Sequence, residues 1–292
     1  MRKTIRFILI LLSAFALVIA VVVGYFYISS KSLTINEYTV EESVTSSIRI
    51  LQLSDLHNAE FGDNNEELID LVKKQSPDLI VMSGDMINRD EENLDNIITD
   101  LISSLSDAAP IYYGYGNHEV DWIESFSTDL EDKLTQAGAV VLNNSYRDVS
   151  VNDSELRIGG YMGYYRQPGM FTQDYVQKKS ELDFANDFEN TDRLKILINH
   201  IPTQWVDWDY INIYPVDIVF SGHYHGGAIR IPIIDQGLYA PYVGWFPPYT
   251  KGLFSGTQAK CVLSTGLGSE HNIPRLNNPP EIVVVDVVPY TE

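Results

Sequence analysis

The chain has 292 residues, 45% of them hydrophobic, and a formal net charge of -20. That size and composition admit a membrane or export segment followed by one large domain, or two small domains, and exclude disorder over most of the length. The acidic balance excludes nonspecific nucleic-acid binding, which neutralises phosphates with Lys and Arg, and disfavours plain electrostatic adhesion to anionic lipid.

Phe7 to Ile28 is a run of 22 residues without a charge, long enough to span a bilayer core as a helix. Arg2, Lys3 and Arg6 precede it and only Lys31 follows closely. That bias keeps the N-terminus in the cytoplasm and sends the rest of the chain across. A cleaved signal has a shorter apolar region, about 7–15 residues, followed by a small-residue cleavage site. The run therefore reads as the uncleaved anchor of a single-pass cell-membrane protein whose domain lies on the extracytoplasmic side. With those three cations set aside, 17 basic residues face 40 acidic ones, a net of -23.

Beyond the anchor, Leu33 to Val40 reads as an edge strand. Ile48 to Leu53 alternates as a strand, and Ser54-Asp55-Leu56-His57 follows its tip. Asn64 to Gln75 carries Leu68, Ile69, Leu71 and Val72 on one helical face, with Asn64 or Asn65 as cap and Pro77 as its end. Leu79 to Met82 is a second buried strand, running into Ser83-Gly84-Asp85. Glu91 to Leu105 reads as a helix, and Ile111 to Tyr113 as a third strand that runs into Gly116-Asn117-His118-Glu119. Trp122 to Ala137 reads as one further helix. Strands follow at Val140 to Asn143, Tyr146 to Val151 and Leu156 to Tyr161, the last two joined by a turn at Asn152-Asp153. Phe171 to Asn190 has helical spacing but a polar, charged make-up that puts it outside the core, as a cap or rim. Lys195 to Ile198 ends in Asn199-His200, and Val216 to Phe220 runs into Ser221-Gly222-His223-Tyr224-His225-Gly226-Gly227. An aromatic, proline-rich loop, Tyr239 to Tyr249, precedes a strand at Cys261 to Ser264, a turn at Gly266-Leu267-Gly268 and a last strand, Ile282 to Val288. Cys261, the single cysteine, can form no intrachain disulfide and reads as a small buried hydrophobe. Apolar strands alternating with helices imply an α/β fold, in which ligands gather at the C-terminal ends of the strands. The strand-rich second half adds antiparallel pairing.

Five strand tips carry residues of one kind: Asp55 and His57, Asp85, Asn117 and His118, His200, then His223 and His225. Five of the six histidines fall there. Residues i and i+2 of an extended segment point the same way, so His223 and His225 face one cavity. Neutral imidazole is the commonest protein ligand for zinc and similar ions, which suggests a metal site. By residue frequencies, a Gly-Asn-His and a Gly-His-x-His each arise by chance in about one chain in a hundred of this length. Both together with the other tips are far rarer.

This set of Asp-x-His, Gly-Asp, Gly-Asn-His-Glu, His and Gly-His-x-His resembles that of the calcineurin-like metallophosphoesterases, over about Ile48 to Val288. Within the family the chain is similar to a membrane-anchored bacterial branch. The matching features are Gly-His-x-His-Gly-Gly with a following Ile-Arg-Ile-Pro, Leu238-Tyr239-Ala240-Pro241, Thr250-Lys251-Gly252-Leu253, Gly266-Leu267-Gly268 and Arg275 to Glu281. It departs at Tyr224 and Ala228, where that branch usually has Thr and Gln, so its substrate preference need not be the same. It also lacks the twin-arginine signal of relatives exported folded.

The resemblance implies an α/β domain over residues 48–292, a four-layer αββα sandwich of two mixed sheets. The anchor (1–28) and a linker with the edge strand (29–47) precede it. It also implies two metal ions, one held by Asp55, His57 and His225, the other by Asn117, His200 and His223, with Asp85 between them. Mixed imidazole, carboxylate and amide donors suit Mn, Fe or Zn. Two such ions clamp a phosphoryl group while activating a bridging hydroxide for in-line attack, and their residual positive charge draws phosphate into an acidic protein. His118 is then the acid at the leaving oxygen, Glu119 its orienting carboxylate, and Asn88 a residue behind the ligands. The implied activity is hydrolysis of a phosphodiester or pyrophosphate. The anchor favours an envelope or lipid-linked substrate, and a soluble nucleotide or small ester is the alternative. A catalytically silent, membrane-displayed binding protein is the reading from another class, and the complete set of ligands and His118 argue against it. No protein partner is evident. His271 fits no motif and reads as surface. Tyr242, Trp245, Phe246 and Tyr249 read as packing rather than as a substrate groove or a membrane contact.

Overall fold

The computed structural model describes residues 2–29, 31–90, 97–126, 129–163, 179–269 and 275–291. The N-terminal run forms helix α1 (Arg2–Ser29). Thr4–Ile28 within it is unburied, and it is the one helix among the described residues long and apolar enough to cross a membrane. A signal sequence near an N-terminus has the same character.

Strands β1 (Thr34–Glu42) and β2 (Ile48–Leu53) open the domain. Helix α2 (Glu66–Lys74), strand β3 (Leu79–Met82), helix α3 (Ile97–Ser106) and strand β4 (Ile111–Gly114) follow as alternating units. Next come helices α4 (Asn117–Ser125) and α5 (Leu130–Ala137) and strands β5 (Ala139–Leu142), β6 (Ser145–Val151) and β7 (Ser154–Gly160). Helix α6 (Lys179–Glu189), strand β8 (Leu194–Ile198), the short helix α7 (Thr203–Val206) and strand β9 (Ile218–Ser221) lead to the two-histidine turn. After it, β10 (Arg230–Ile231) pairs with β11 (Gln236–Gly237), and β12 (Tyr239–Ala240) with β13 (Gly244–Trp245), as two small hairpins. Strands β14 (Gly252–Ser255), β15 (Lys260–Leu263) and β16 (Glu281–Pro289) complete the chain.

Two six-stranded sheets result, in the orders β1-β16-β2-β3-β4-β5 and β14-β15-β9-β8-β7-β6. Pairing is parallel except for β16 on β2 in the first sheet, and β14 on β15 and β6 on β7 in the second. Side chains alternate across each strand, and the alternation sorts the interior into three apolar layers. Leu51, Leu53, Ile80, Met82 and Val284 meet helices α2 to α5 on one face of the first sheet. Ile48, Ile50, Leu79, Val81, Val283 and Val285 point the other way and meet Ile196, Ile198, Ile218, Phe220 and Val262 of the second sheet. Leu197, Val219, Cys261 and Leu263 face outward onto α6 and α7. Helix, sheet, sheet and helix therefore stack as a four-layer αββα sandwich of two mixed sheets. Cys261 is fully buried, and burial pushes its thiol up to about 12.

Two expected segments differ. The helix expected over Trp122 to Ala137 is two helices. The first starts earlier, at Asn117, because Glu119 accepts a hydrogen bond from the Gly116 N–H and Asp85 one from the His118 N–H, which satisfies the open first turn. The second begins after Asp129 and ends on left-handed Gly138 (φ 114°). The expected helix over Phe171 to Asn190 is not a rim. Its described part, α6, buries Phe184, Ala185 and Phe188 against the outer face of the second sheet. Residues 171–178, like residues 91–96 of the expected Glu91 helix, lie outside the described residues, as does His271. Phe188 is fully buried and stacks on Phe184 at 5.6 Å between centroids. Phe188→Ala is expected to cost about 3–5 kcal/mol, as deletion of a buried aromatic ring does, read as a lowered midpoint in denaturant melts with an unchanged slope.

Candidate metal centre

The C-terminal ends of β2, β3, β4, β8 and β9 converge where the two sheets face each other. The tips are tied by backbone hydrogen bonds: Asp55 N–H to Gly84 O at 2.9 Å, His57 N–H to Asp85 O at 3.1 Å and Gly222 N–H to His200 O at 3.0 Å. The glycine turn expected at 266–268 straps the same corner, since Gly268 N–H donates to Asp55 O at 2.7 Å. Glycine is required at two of these tips. A Cβ on Gly222 would lie 2.1 Å from Asp55 Oδ2, and one on Gly116 would lie 2.2 Å from Asp85 Oδ1.

Asp55, His57, Asp85, His223 and His225 all have φ between 46° and 68°. Asp and His tolerate this left-handed region better than most residues, and a run of such positions at a cleft turns side chains out of the strand direction. The mechanism inferred for the two-histidine turn therefore needs correction. His223 and His225 do face one cavity, but not as i and i+2 of an extended strand, because β9 ends at Ser221 and a 3-10 turn begins at His225. The turn directs them to different partners. Donor atoms of Asp55, His57 and His225 lie within 4.8 Å of one another, as do those of Asp85, His200 and His223. A third such group, His57, Asp85 and His118, joins the two. Asn117, at the start of α4, lines the same cavity, about 240 Å³ in volume, with Asp85, His118, His223 and His225.

The donor set fits metal. Buried side-chain atoms without a hydrogen-bond partner include His57 Nδ1, Asn117 Oδ1, His200 Nε2, His223 Nε2 and His225 Nδ1. Buried polar atoms are paired almost everywhere in folded proteins, so such a cluster is a signature of a cation site. His200 is the most telling. Its Nδ1 donates to Ser83 O at 2.7 Å, which leaves Nε2 as a lone pair, and that lone pair lies 3.0 Å from Asp85 Oδ2. Burial opposes charging of His200, but Asp85 and Asp55 outweigh it and raise the ring to about 10. Without an ion, a proton is drawn to the place where the geometry offers a cation. Burial pushes His57 and His225 the other way, to about 3, helped for His57 by the adjacent His225 ring, which makes a second charge there costly, and for His225 by the Arg275 guanidinium. Both therefore stay neutral, as imidazole ligands must.

Around the donors, Asn88 Nδ2 donates to His57 O at 3.1 Å, and the Ser54 hydroxyl to Asp55 Oδ2 at 2.6 Å. Glu119 does not orient His118. Its two oxygens accept four hydrogen bonds, from the N–H groups of Asp85, Met86 and Gly116 and from the Tyr113 hydroxyl, each at 2.7 to 2.8 Å. It holds the Asp85 tip and the start of α4 together instead. The residue beside His118 is Arg89, which sequence reasoning missed. Its N–H donates to His118 Nδ1 at 3.1 Å, while its guanidinium abuts Nε2 and pairs with Asp121 at 2.7 Å. The available signal was its place directly after Asn88 in the Gly-Asp-x-x-Asn stretch.

A family model described as calcineurin-like phosphoesterase matches residues 48–227. The chain is a calcineurin-like phosphoesterase. Members of the family hydrolyse phosphoester bonds with metal ions, and this phosphoesterase presents His and Asp groups able to hold them. It is 26% identical to the phosphodiesterase YaeI of Escherichia coli over 82% of each chain. It is 25% identical to the UDP-2,3-diacylglucosamine pyrophosphatase LpxG of Chlamydia muridarum over 82% of this chain and 83% of that one. It is 27% identical to an uncharacterized metallophosphoesterase of Campylobacter jejuni, over 82% of its own length but only 59% of that protein's.

Proposed function

We propose that the phosphoesterase uses two divalent ions, Mn, Fe or Zn, to hydrolyse a phosphodiester or pyrophosphate of an envelope or lipid-linked substrate. Asp55, His57 and His225 hold one ion, Asn117, His200 and His223 the other, and Asp85 serves both. The cluster of buried, unpartnered donor atoms on five of these residues, beside two carboxylates, supports this reading above all. Bound there, the ions supply Lewis-acid polarisation of phosphoryl oxygens and an activated water. The chain's own groups do the rest. Asp55 accepts the His223 N–H at 3.0 Å and so fixes the turn that separates the two histidines. Glu119 holds Asp85 in place. His118 gives a proton to the leaving oxygen, and Arg89 supplies positive charge at the cavity wall. The lipid-linked substrate is supported by the relationship to LpxG and by α1, taken as an uncleaved anchor that places the domain on the extracytoplasmic side.

Full-length protein in detergent, stripped with a chelator, is expected to lose hydrolysis of an aryl phosphodiester and to regain it with Mn, Zn or Fe at two ions per chain. Hydrolysis that survives complete stripping, or full restoration at one ion per chain, defeats the two-ion reading.

A further inference from the structure

Outside α1, ten large apolar side chains are exposed among the described residues, and six of them fall between positions 233 and 246: Ile233, Ile234, Tyr239, Tyr242, Trp245 and Phe246. Tyr242, Trp245 and Phe246 are 58–69% exposed, so three of the four aromatics expected to pack inside do not. Tyr249 does, against Phe254. A monomeric soluble surface rarely gathers apolar side chains this way, and such a patch marks an interaction site. The backbone is strained to present them. Ile233 has φ 76° and is fully exposed, a conformation that a β-branched residue adopts at a cost. The β10–β11 hairpin is nonetheless held firmly. Arg230 pairs with Asp235 at 2.7 Å and donates to Gly226 O at 2.6 Å, and Lys251 pairs with Asp235 at 2.8 Å.

The position of this lip identifies its occupant. Tyr242 stacks on the His223 ring at 5.3 Å, and Tyr239 and Tyr242 wall the metal-site cavity. That cavity shares Ser269 and Arg275 with a second one, about 440 Å³, which Tyr27 and Lys31 at the end of α1 line together with Leu276. Leu276 in turn bonds β10, accepting the Arg230 N–H at 3.0 Å. Anchor end, metal-site mouth and lip thus lie along one rim of the domain. Strand β1 starts at Thr34, five residues after α1 ends at Ser29, a reach of at most about 18 Å. Charge agrees with this placement. In a chain of net charge -20, residues 229–251 contain one acid, Asp235, against Arg230 and Lys251. Trp and Tyr are also the side chains that settle at the headgroup level of a bilayer.

We infer that the 233–246 lip inserts into the interface of the bilayer that holds α1, so that the metal-site cavity opens at headgroup level. The inference rests on α1 being an uncleaved anchor, and the test separates the two. Full-length protein is placed in nanodiscs of mixed phosphatidylcholine and phosphatidylglycerol whose acyl chains carry bromine, a contact quencher of indole. Wild type is compared with Trp245→Phe, which touches no donor residue. The expected result is loss of the emission that distinguishes wild type from the variant, with the fully buried Trp205 unquenched. If carbonate washing strips the chain from native membranes, the anchor fails and the inference falls with it. If the chain stays membrane-bound but Trp245 emission survives bromination, the inference alone is overturned. The same holds if Trp245 is shielded equally in detergent and in nanodiscs by a second copy, seen as a cross-linked dimer.

Discussion

Asp85→Asn is expected to lower metal-dependent hydrolysis by roughly 10³-fold or more. Lewis-acid stabilisation at such a site is worth several kcal/mol, and each 1.4 kcal/mol is a factor of ten. The substitution is nearly isosteric. Oδ1 can still accept the His118 N–H, which it now does at 2.8 Å. In the metal-free protein, however, the His200 ring, raised to about 10, carries a proton on Nε2 that faces Asp85 Oδ2 at 3.0 Å, and an amide there removes that buried ion pair. Metal-free Asp85→Asn should therefore melt below metal-free wild type at neutral pH. Metal should widen the difference. Wild type gains about 2.7 kcal/mol at a hundredfold excess over the dissociation constant, and the variant much less. Turnover, metal content and paired melts with and without metal check this. Activity within tenfold of wild type would remove Asp85 from the proposed metal site.

His118→Ala should cost about 10² to 10⁴ in kcat, the usual worth of a positioned general acid, while metal content stays the same. In the present arrangement the Arg89 N–H donates to Nδ1 at 3.1 Å and its guanidinium Nε donates to Nε2 at 3.2 Å. With Nδ1 held by the backbone, Nε2 is the nitrogen left to carry a proton to the leaving oxygen once the guanidinium turns away. An incoming phosphate gives Arg89 a better partner and frees Nε2 to donate. The loss should therefore depend on the leaving group: small for a nitrophenyl ester, which departs without a proton, and large for an alkyl or sugar oxygen. Equal losses for both would show that His118 acts only by holding the site together.

The ends of the buried strands were legible in the sequence because polar residues directly after an apolar run have few other reasons to be there. Asp55, His57, Asp85, Asn117, His118, His200, His223 and His225 all meet around one cleft for that reason. The route of the backbone between them was not legible. Left-handed φ at five of these residues is permitted by Asp and His but not demanded by them, so extended geometry was the natural and mistaken inference for His223 and His225. Glu119 was placed by its neighbour in sequence, while in space its carboxylate answers four donors elsewhere. Helix α6 was misjudged because Phe184, Ala185 and Phe188 form too thin an apolar stripe in a charged segment. The break between α4 and α5 did have a signal, in the Ser-Thr-Asp cluster that precedes Leu130. Exposure of the 233–246 aromatics has no signature in composition, since the same residues build cores.

Strand β16 lies between β1 and β2 and pairs with both. A chain emerging from the ribosome has its first strands ready long before this partner exists. Until Glu281–Pro289 arrives, the first sheet remains in two pieces, and the segment leading from α1 hangs on an unpaired β1. Any premature stop upstream of Glu281 leaves two open strand edges, the kind of surface that invites aggregation and proteolysis. Closure of the first sheet around the site residues therefore waits for Glu281–Pro289, and a copy that stops short of this strand carries its unfinished sheet as an exposed liability.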